Sequence, residues 1–387
     1  MIKKKISYWV NGGIALIDRY LISQLLPPFL FSVGLFASLG VAISNLSDLA
    51  NQVVDANLPL ASALEILLLK VPEFVTYSLP VSLLLATLIT YGRLSSDSET
   101  VALQSCGVTI YRLFIPTFCL SLIVTFVTFL LNEYVVPNAN YRATEILVHK
   151  INKEANFWKN KDFYYPDYEM KTLENGTINR NLRSLFYAEQ FDGEKMKTVT
   201  VIRWLKQELN QIIIADSARW NAVDNVWDFF NGIIYELTPP NASYSQVIPF
   251  KAEKIALSRS AFDFARQSRD PYEMNIPQAI EYVQLLKLSG DDKRVRFFQV
   301  RIQQKIAFPF VCIVFATIGC ALGSLPQRIS RGTSFGLSVA IVFLYYLLNF
   351  LVGSLGLTAT LSPFLAAWLP NFFGFGLGLW LLWRLNG

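Results

Sequence analysis

Covalent catalysis needs a nucleophile with a base beside it, or a metal with ligands to hold it, and this chain is short of both. Its single histidine is His149. Cys106, Cys119, Cys312 and Cys320 are its four cysteines, all outside the polar middle of the sequence. A Ser-His-Asp triad would have to use His149, in charged and helix-forming surroundings that do not suit it. No clustered carboxylates complete a zinc site, and Cys312 and Cys320 read best as small packing residues. No Gly-Lys dipeptide occurs anywhere, so the usual phosphate-cradling loop of an ATPase is missing. The sequence argues against an enzyme and implies no cofactor; no basic patch with interleaved aromatics points to nucleic acid.

Charged residues at informative spacing remain. In Tyr91-Gly92-Arg93-Leu94-Ser95-Ser96-Asp97-Ser98-Glu99-Thr100, Ser96 and Glu99 stand three apart, the spacing of a capping box, and Gly107 supplies a stop. This predicts a short helix. Either Glu99 merely caps it, or the helix is a docking peg for a cytoplasmic partner. Lys70 and Glu73, three apart, read as an interfacial ion pair. No acidic residue lies near the middle of an apolar run, which argues against a proton or sodium carrier.

The elements that position these residues follow from composition. Of 387 residues 53% are hydrophobic and only 16% charged, against about 25% charged in ordinary soluble domains. The charges are uneven: 20–137 carries ten, 298–387 carries five, all basic, and 138–297 carries 43. Two membrane portions therefore flank one water-exposed domain. Charge-free runs at Leu21–Ser47, Phe74–Gly92, Leu113–Asn132, Ile306–Gln327 and Gly332–Trp383 are long enough for six spans at about 20 residues each. They predict spans at roughly 22–47, 70–92, 110–136, 304–325, 333–354 and 363–384. Gly353-Ser354-Leu355-Gly356 and Ser362-Pro363 mark the reversal inside the last run.

Orientation comes from the short connections. Lys3, Lys4, Lys5, Arg19, Arg93, Arg112, Arg328, Arg331 and Arg384 place both termini and two short loops in the cytoplasm. By alternation 138–297 is exported, although Lys293, Arg294, Arg296, Arg301 and Lys305 crowd the outer mouth of span four. The first apolar run is too long for a cleaved signal peptide and reads as a retained span. Within the exported domain, Thr198–Trp204, Gln211–Trp220 and Val226–Leu237 are rich in β-branched and aromatic residues. Turn signals at Glu174-Asn175-Gly176, Asp192-Gly193-Glu194 and Asp224-Asn225 separate strands. A sandwich or open jelly-roll is expected. Asn275 and Gln278 then cap a short helix, in which Ile280, Val283, Leu286 and Lys287 follow and which Gly290 stops. The fold class is a six-span membrane α-helical protein with an inserted, exported all-β jelly-roll-like domain. The layout is 1–137 (N-terminus and spans one to three), 138–297 (exported domain) and 298–387 (spans four to six).

Leu79-Pro80 through Gly92-Arg93-Leu94, then Asp97-Ser98-Glu99 and Gly107, resembles the lipopolysaccharide-export permease family of the LptF/LptG type. Asp18-Arg19-Tyr20-Leu21, Asn132-Glu133-Tyr134-Val135-Val136-Pro137, Ala215–Trp220 with Trp227 and Asn231-Gly232, and Lys305-Ile306-Ala307-Phe308-Pro309-Phe310 resemble other parts of that family in the same order. The resemblance covers nearly the whole chain. It implies a permease subunit in the bacterial inner membrane, paired with a second such subunit, a copy of itself or a paralogue. It also implies a separate dimeric cytoplasmic ABC ATPase, lipopolysaccharide as the cargo, and a periplasmic jelly-roll bridge protein as acceptor. Arg93, Ser96, Asp97 and Glu99 would form the ATPase-coupling helix, with Glu99 as its acidic contact. The family's basic residues near the outer end of span one have no counterpart here, where no Lys or Arg lies between Arg19 and Lys70 and where Asp48 and Asp55 stand instead. Arg301 and Lys305, four apart on one helix face, are the substitute candidates for the lipid headgroup, with snorkelling of both side chains as the alternative. Two other functions suit the same layout: an ABC-linked machine that transmits force to a periplasmic partner, and a non-transporting scaffold with an exported interaction domain.

Overall fold

The computed structural model describes residues 16–44, 49, 51, 53–54, 58–151, 160–172, 178–191, 195–205, 208–221, 224, 226–238, 243–255, 270–288, 291–325 and 331–386. Lys3, Lys4, Lys5, Asp48, Asp55, Gly290, Arg328, the turns at 174–176 and 192–194, and the side chains of His149 and Arg331 lie outside what is described. Two compact units result: 1–143 with 300–387, and 144–299.

The first unit is helical. Its elements are α1 (Leu16–Ser44), α2 (Leu60–Ser96), α3 (Glu99–Ser105) and α4 (Ile110–Leu130), which passes through a π-helical turn (Leu131–Val135) into α5 (Val136–Ile151). After the inserted domain come α7 (Asp292–Ala307), a 3₁₀ turn (Phe308–Phe310), α8 (Val311–Gly323), α9 (Arg331–Leu357) and α10 (Pro363–Asn386). Among the described residues six helical stretches are long and apolar enough to cross a membrane, Leu16–Ile43, Leu60–Ser96, Ile110–Leu147, Asp292–Gly323, Gly332–Leu357 and Pro363–Leu385. All six expected spans are there, and most overrun their apolar centres. The reversal between the last two falls at 358–362, later than expected. Gly353 and Gly356 stay helical inside α9, where they let Gln304 and Ala366 approach closely. The chain instead turns with Ala359 at φ 70°, and Pro363 opens α10.

Lipid cannot drive helices together by the hydrophobic effect, so close backbone approach and buried hydrogen bonds must do it. Gly319 and Gly323 give α8 a small-residue stripe against α2. A Cβ on Gly319 would lie 1.9 Å from Thr87 Oγ1 and 3.0 Å from the Leu84 carbonyl, and one on Gly323 would meet Tyr91 Cβ at 2.8 Å. Gly374 and Gly378 of α10 do the same against Val314 and Thr317 on the other side of α8. The buried Tyr91 hydroxyl donates to the Leu113 carbonyl at 2.8 Å, and it lies 2.6 Å from Thr117 Oγ1. At this end Leu21 and Leu25, Tyr91 and Leu94, Ile110 and Leu113, Cys320 and Leu382 close one apolar cluster drawn from five helices.

Among the described residues the second unit holds six antiparallel strands, β1 (Asn160–Thr172), β2 (Ile178–Phe191), β3 (Lys195–Leu205), β4 (Glu208–Asn221), β5 (Val226–Thr238) and β6 (Ser243–Ile255), each paired with its sequence neighbours. The inserted all-β domain is therefore present as one meandering sheet. One face carries a register-aligned apolar row, Tyr165, Phe186, Val201, Ile213, Ile234 and Ile248, one residue per strand. Strands β2 and β5 would stand about 14 Å apart in a flat sheet, yet the Phe186 and Trp227 rings sit 5.8 Å apart. The sheet is curled, and this face is its concave side. Helix α6 (Ile276–Leu288) follows. Its capping box forms as expected: Gln278 N–H donates to Asn275 Oδ1 at 2.9 Å, and Asn275 N–H to Gln278 Oε1 at 3.1 Å. Its buried face is Ala279, Tyr282, Val283 and Leu286, with Ile280 exposed.

Candidate functional site

Two places in the helical unit concentrate polar side chains. The first is built around α3. Nothing between Gly92 and Ser96 withdraws the backbone from its ladder, so α2 runs unbroken to Ser96, and the Asp97 N–H still reaches the Arg93 carbonyl at 2.8 Å. Ser98, at φ 60°, then turns the chain through the left-handed region, a cost of about 1 kcal/mol for a residue with a Cβ. Helix α3 begins at Glu99 with no side-chain cap. The predicted Ser96–Glu99 capping box is therefore not formed, because Ser96 closes the previous helix instead of opening this one. The stop is as expected: Val108 N–H donates to Leu103 O and Gly107 N–H to Gln104 O, with Gly107 at φ 83°. That pair of bonds is a Schellman motif.

Glu99 has a different partner. Its Oε2 accepts from the Tyr20 hydroxyl at 2.8 Å, across 79 residues of sequence. Arg93, on the last turn of α2, donates to the Gln24 side-chain oxygen, and Thr90 Oγ1 lies 3.2 Å from the Gln24 carbonyl. Arg112, on the first turn of α4, grips Asp18 with two nitrogens at 2.5 and 2.9 Å. Helix α1 thus holds the end of α2, the start of α3 and the start of α4 through Gln24, Tyr20 and Asp18. A forked guanidinium–carboxylate pair is the most directional of these contacts. Arg93, Ser96 and Asp97 remain exposed, Glu99 is half-buried, and Val101 is 54% exposed beside them. The four predicted residues do share one end of the bundle. What spacing alone did not show is that α1 reaches them; opposite charges at Asp18 and Arg112, each beside an apolar run at the same end, were the available signal.

The second place lies at two prolines. Pro137 has no N–H for the Glu133 carbonyl four residues back. The helix widens just upstream, where the Val136 N–H reaches the Leu131 carbonyl and Leu131–Val135 becomes a π turn. Pro309 likewise deprives the Lys305 carbonyl of its helical donor and forces the 3₁₀ turn at Phe308–Phe310. Amide side chains repair the damage. Asn132 Nδ2 donates to Lys305 O at 3.3 Å, and Asn371 Nδ2 donates to Ala307 O at 2.8 Å while accepting from the Tyr345 hydroxyl at 2.5 Å. The π turn also faces Glu133 toward Lys305, whose Nζ stands 3.6 Å from Oε2, the two side chains only 9% and 15% exposed. Arg301 and Lys305 do lie four apart on α7, but their circumstances differ. Arg301 Nη1 donates to Gln304 Oε1 at 3.1 Å, whereas the Lys305 charge is met by a buried carboxylate.

The segments that meet at these two places include several of those by which the sequence resembles a known family. A profile described as lipopolysaccharide export system permease LptF/LptG matches residues 19–384. The chain belongs to the LptF/LptG family. Among its relatives, the lipopolysaccharide export system permease protein LptG of Escherichia coli (strain K12) is 24% identical over 331 residues, covering 82% of this chain and 84% of its own. The protein of the same name from Haemophilus influenzae is 19% identical over 322 residues, with the same coverage. Membership of the LptF/LptG family and six apolar helices make this chain a multi-pass membrane permease of lipopolysaccharide export, a transport subunit rather than an enzyme.

Proposed function

We infer that this LptF/LptG protein is the permease subunit of an ATP-driven exporter. It would take lipopolysaccharide from the inner membrane and hand it to a periplasmic jelly-roll bridge protein. A cytoplasmic ABC ATPase dimer supplies the energy, and a second permease subunit, identical or paralogous, completes the lipid path. The α3 end of the bundle, which carries Arg93 and Arg112, faces the cytoplasm, as do both termini, and the 138–297 domain is periplasmic. The observation that carries this reading is the α3 arrangement. A short helix with an exposed edge is pinned by its first residue to α1, so a push on α3 is delivered to a membrane-spanning helix. Arg93, Ser96, Asp97 and Glu99 form the ATPase contact, with Val101 at its centre. Arg301 and Lys305 are the headgroup candidates, and a phosphate reaching Lys305 would have to displace Glu133.

Glu99→Arg reverses the charge of the proposed contact but also breaks the Tyr20 bond, so Tyr20→Phe is the control. Loss of a desolvated interfacial charge pair costs on the order of 2–5 kcal/mol. Purification from detergent should therefore yield ATPase and lipopolysaccharide with wild type, and lipopolysaccharide without ATPase with Glu99→Arg. Tyr20→Phe should keep the ATPase and turn over ATP with less lipid released per ATP. Equal loss of the ATPase in both variants would mean that Glu99 acts only by holding α3 to α1. A wild-type protein that brings down neither ATPase nor lipid would end the exporter reading.

A further inference from the structure

The concave face of the β domain changes character along its strands. Adjoining the apolar row of Tyr165 to Ile248, two residues further along every strand, lies a second row in register. It consists of Asp167, Ser184, Arg203, Gln211, Glu236 and Gln246, each opposite the next. Two residues is one full side-chain period, so both rows project from the same face. The outer strands, where an aligned polar row is commonplace, do not explain it. Ser184 is 2% exposed and Arg203 is half-buried in the middle of the sheet.

Three strands are also irregular at this level. Register shifts fall between Asp167 and Tyr168 in β1, between Arg203 and Trp204 in β3, and between Glu236 and Leu237 in β5. Each comes directly after the polar row. Bulges bend a strand and re-aim its side chains, and three at one level bend the whole sheet there.

Arg203 is the central group. Its Nη1 donates to Gln211 Oε1 at 3.2 Å, and its immediate neighbours in the row, Ser184 and Gln211, are neutral. The row's carboxylates, Asp167 and Glu236, are each two strands away, about 10 Å in backbone spacing. Asp167 accepts from Ser184 Oγ at 3.3 Å. Arg183 adds a second positive charge nearby; burial, and then that like charge, push the Arg203 pKa down. Burial raises the Asp167 pKa. A half-buried guanidinium flanked by uncharged hydrogen-bonding groups is costly unless something anionic completes it.

We propose that this row is a headgroup-reading site, in which Arg203 binds a phosphomonoester of a glycolipid. The lipid's acyl chains enter beside the adjoining apolar row at its partly exposed end, Ile248, since Tyr165, Phe186, Val201 and Ile213 are already covered. Asp167, Ser184, Gln211 and Glu236 offer both donors and acceptors, the mixture that sugar hydroxyls require. The assignment rests on the lipid-export reading above and adds to it that the periplasmic domain recognises the polar part of its cargo.

The test uses the full-length protein in detergent with a photoreactive benzoylphenylalanine at position 248, on the apolar row. Probes are a bisphosphorylated lipid A, the same lipid without phosphates, and inorganic phosphate as competitor. In the wild-type background the bisphosphorylated lipid should crosslink at least about tenfold more than the dephosphorylated one, the scale of a charge-assisted contact. Arg203→Gln should erase that preference, Arg203→Lys should restore part of it, and the thermal midpoint should not fall, since the change removes a desolvated charge. A crosslink that ignores Arg203→Gln would overturn the headgroup site while leaving lipid passage intact. Competition by millimolar inorganic phosphate would reassign Arg203 to free phosphate. No crosslink to either lipid in wild type would sink both the site and the domain's place in the lipid path.

Discussion

A Gly319→Ala protein should melt well below wild type in detergent, and Gly319→Leu should fail to assemble. The reason is geometric. A Cβ at this position would stand 1.9 Å from Thr87 Oγ1, far inside contact distance, and 3.0 Å from the Leu84 carbonyl, which belongs to backbone. Thr87 cannot simply rotate away. Its hydroxyl already lies 2.9 Å from Leu83 O and 2.8 Å from Leu84 O, and turning it would leave a polar group unsatisfied between two buried helices. Either α2 and α8 move apart or that hydrogen bond is lost, and overpacking of this kind costs about 1–3 kcal/mol for a single methyl. Leucine adds three more carbons to a space that has no room for the first. Thermal unfolding followed by size exclusion measures the loss. Thr87→Ala combined with Gly319→Ala should recover part of it, because the clashing hydroxyl is gone while Thr87 Cβ and Leu84 O remain at 3.0 Å. A single Gly319→Ala variant that melts with wild type would show that the two backbones are not in close contact.

The same stripe explains what the sequence disclosed and what it withheld. Six spans were legible because bilayer thickness sets a length that 20 charge-free residues satisfy. Their ends were not, because the helices continue into sequence that is polar but still helix-forming, as in Asp292–Gln304 of α7. Gly353 and Gly356 look like punctuation in one dimension, yet in three dimensions they are contact surfaces inside α9. In the β domain, β3, β4 and β5 were readable from β-branched and aromatic residues. Strands β1, β2 and β6 were not; β1 (NKDFYYPDYEMKT) and β6 (SYSQVIPFKAEKI) are each interrupted by a proline. Both are edge strands, the place where a residue without an N–H does least harm to the ladder.

The candidate site divides in the same way. That a short helix lies before Gly107 follows from local sequence, and so does its Schellman end. Where it begins does not, since Ser96 and Glu99 carry the capping pattern while the backbone breaks two residues later at Ser98. The partners that give Glu99, Arg93 and Arg112 their geometry are Tyr20, Gln24 and Asp18, 69 to 94 residues away. No helical period links residues at such separations. They become neighbours only because α1 packs on α2 and α4 through Leu21 and Leu25, a register set by apolar packing.

Glu133 and Lys305 make the sharpest case of a contact that sequence concealed, and removing either should be severe alone and mild together. Neither residue has the other in helical reach; beside the π turn at Leu131–Val135 and the 3₁₀ turn at Phe308–Phe310, Oε2 and Nζ stand 3.6 Å apart. Glu133→Ala leaves an ammonium 15% exposed without this carboxylate, and Lys305→Met leaves a carboxylate 9% exposed without this cation. Breaking one side of such a pair costs about 3–5 kcal/mol, whereas replacing both sides by apolar groups of similar volume is often neutral or stabilising. Each single variant should therefore lose folded protein on heating, and Glu133→Leu with Lys305→Met should regain most of it. Stability alone does not say why an ion pair stands where two apolar residues would serve. Lipid export by the double variant answers that. Normal export with restored stability would make the pair a way of fixing the register of α4 on α7, which the Asn132 bond to the Lys305 carbonyl shares. A double variant that is stable but exports no lipid would mean that Lys305 must be able to exchange Glu133 for a phosphate during transport. Single variants that melt with wild type would show that water reaches both charges, and the buried pair would then carry neither role.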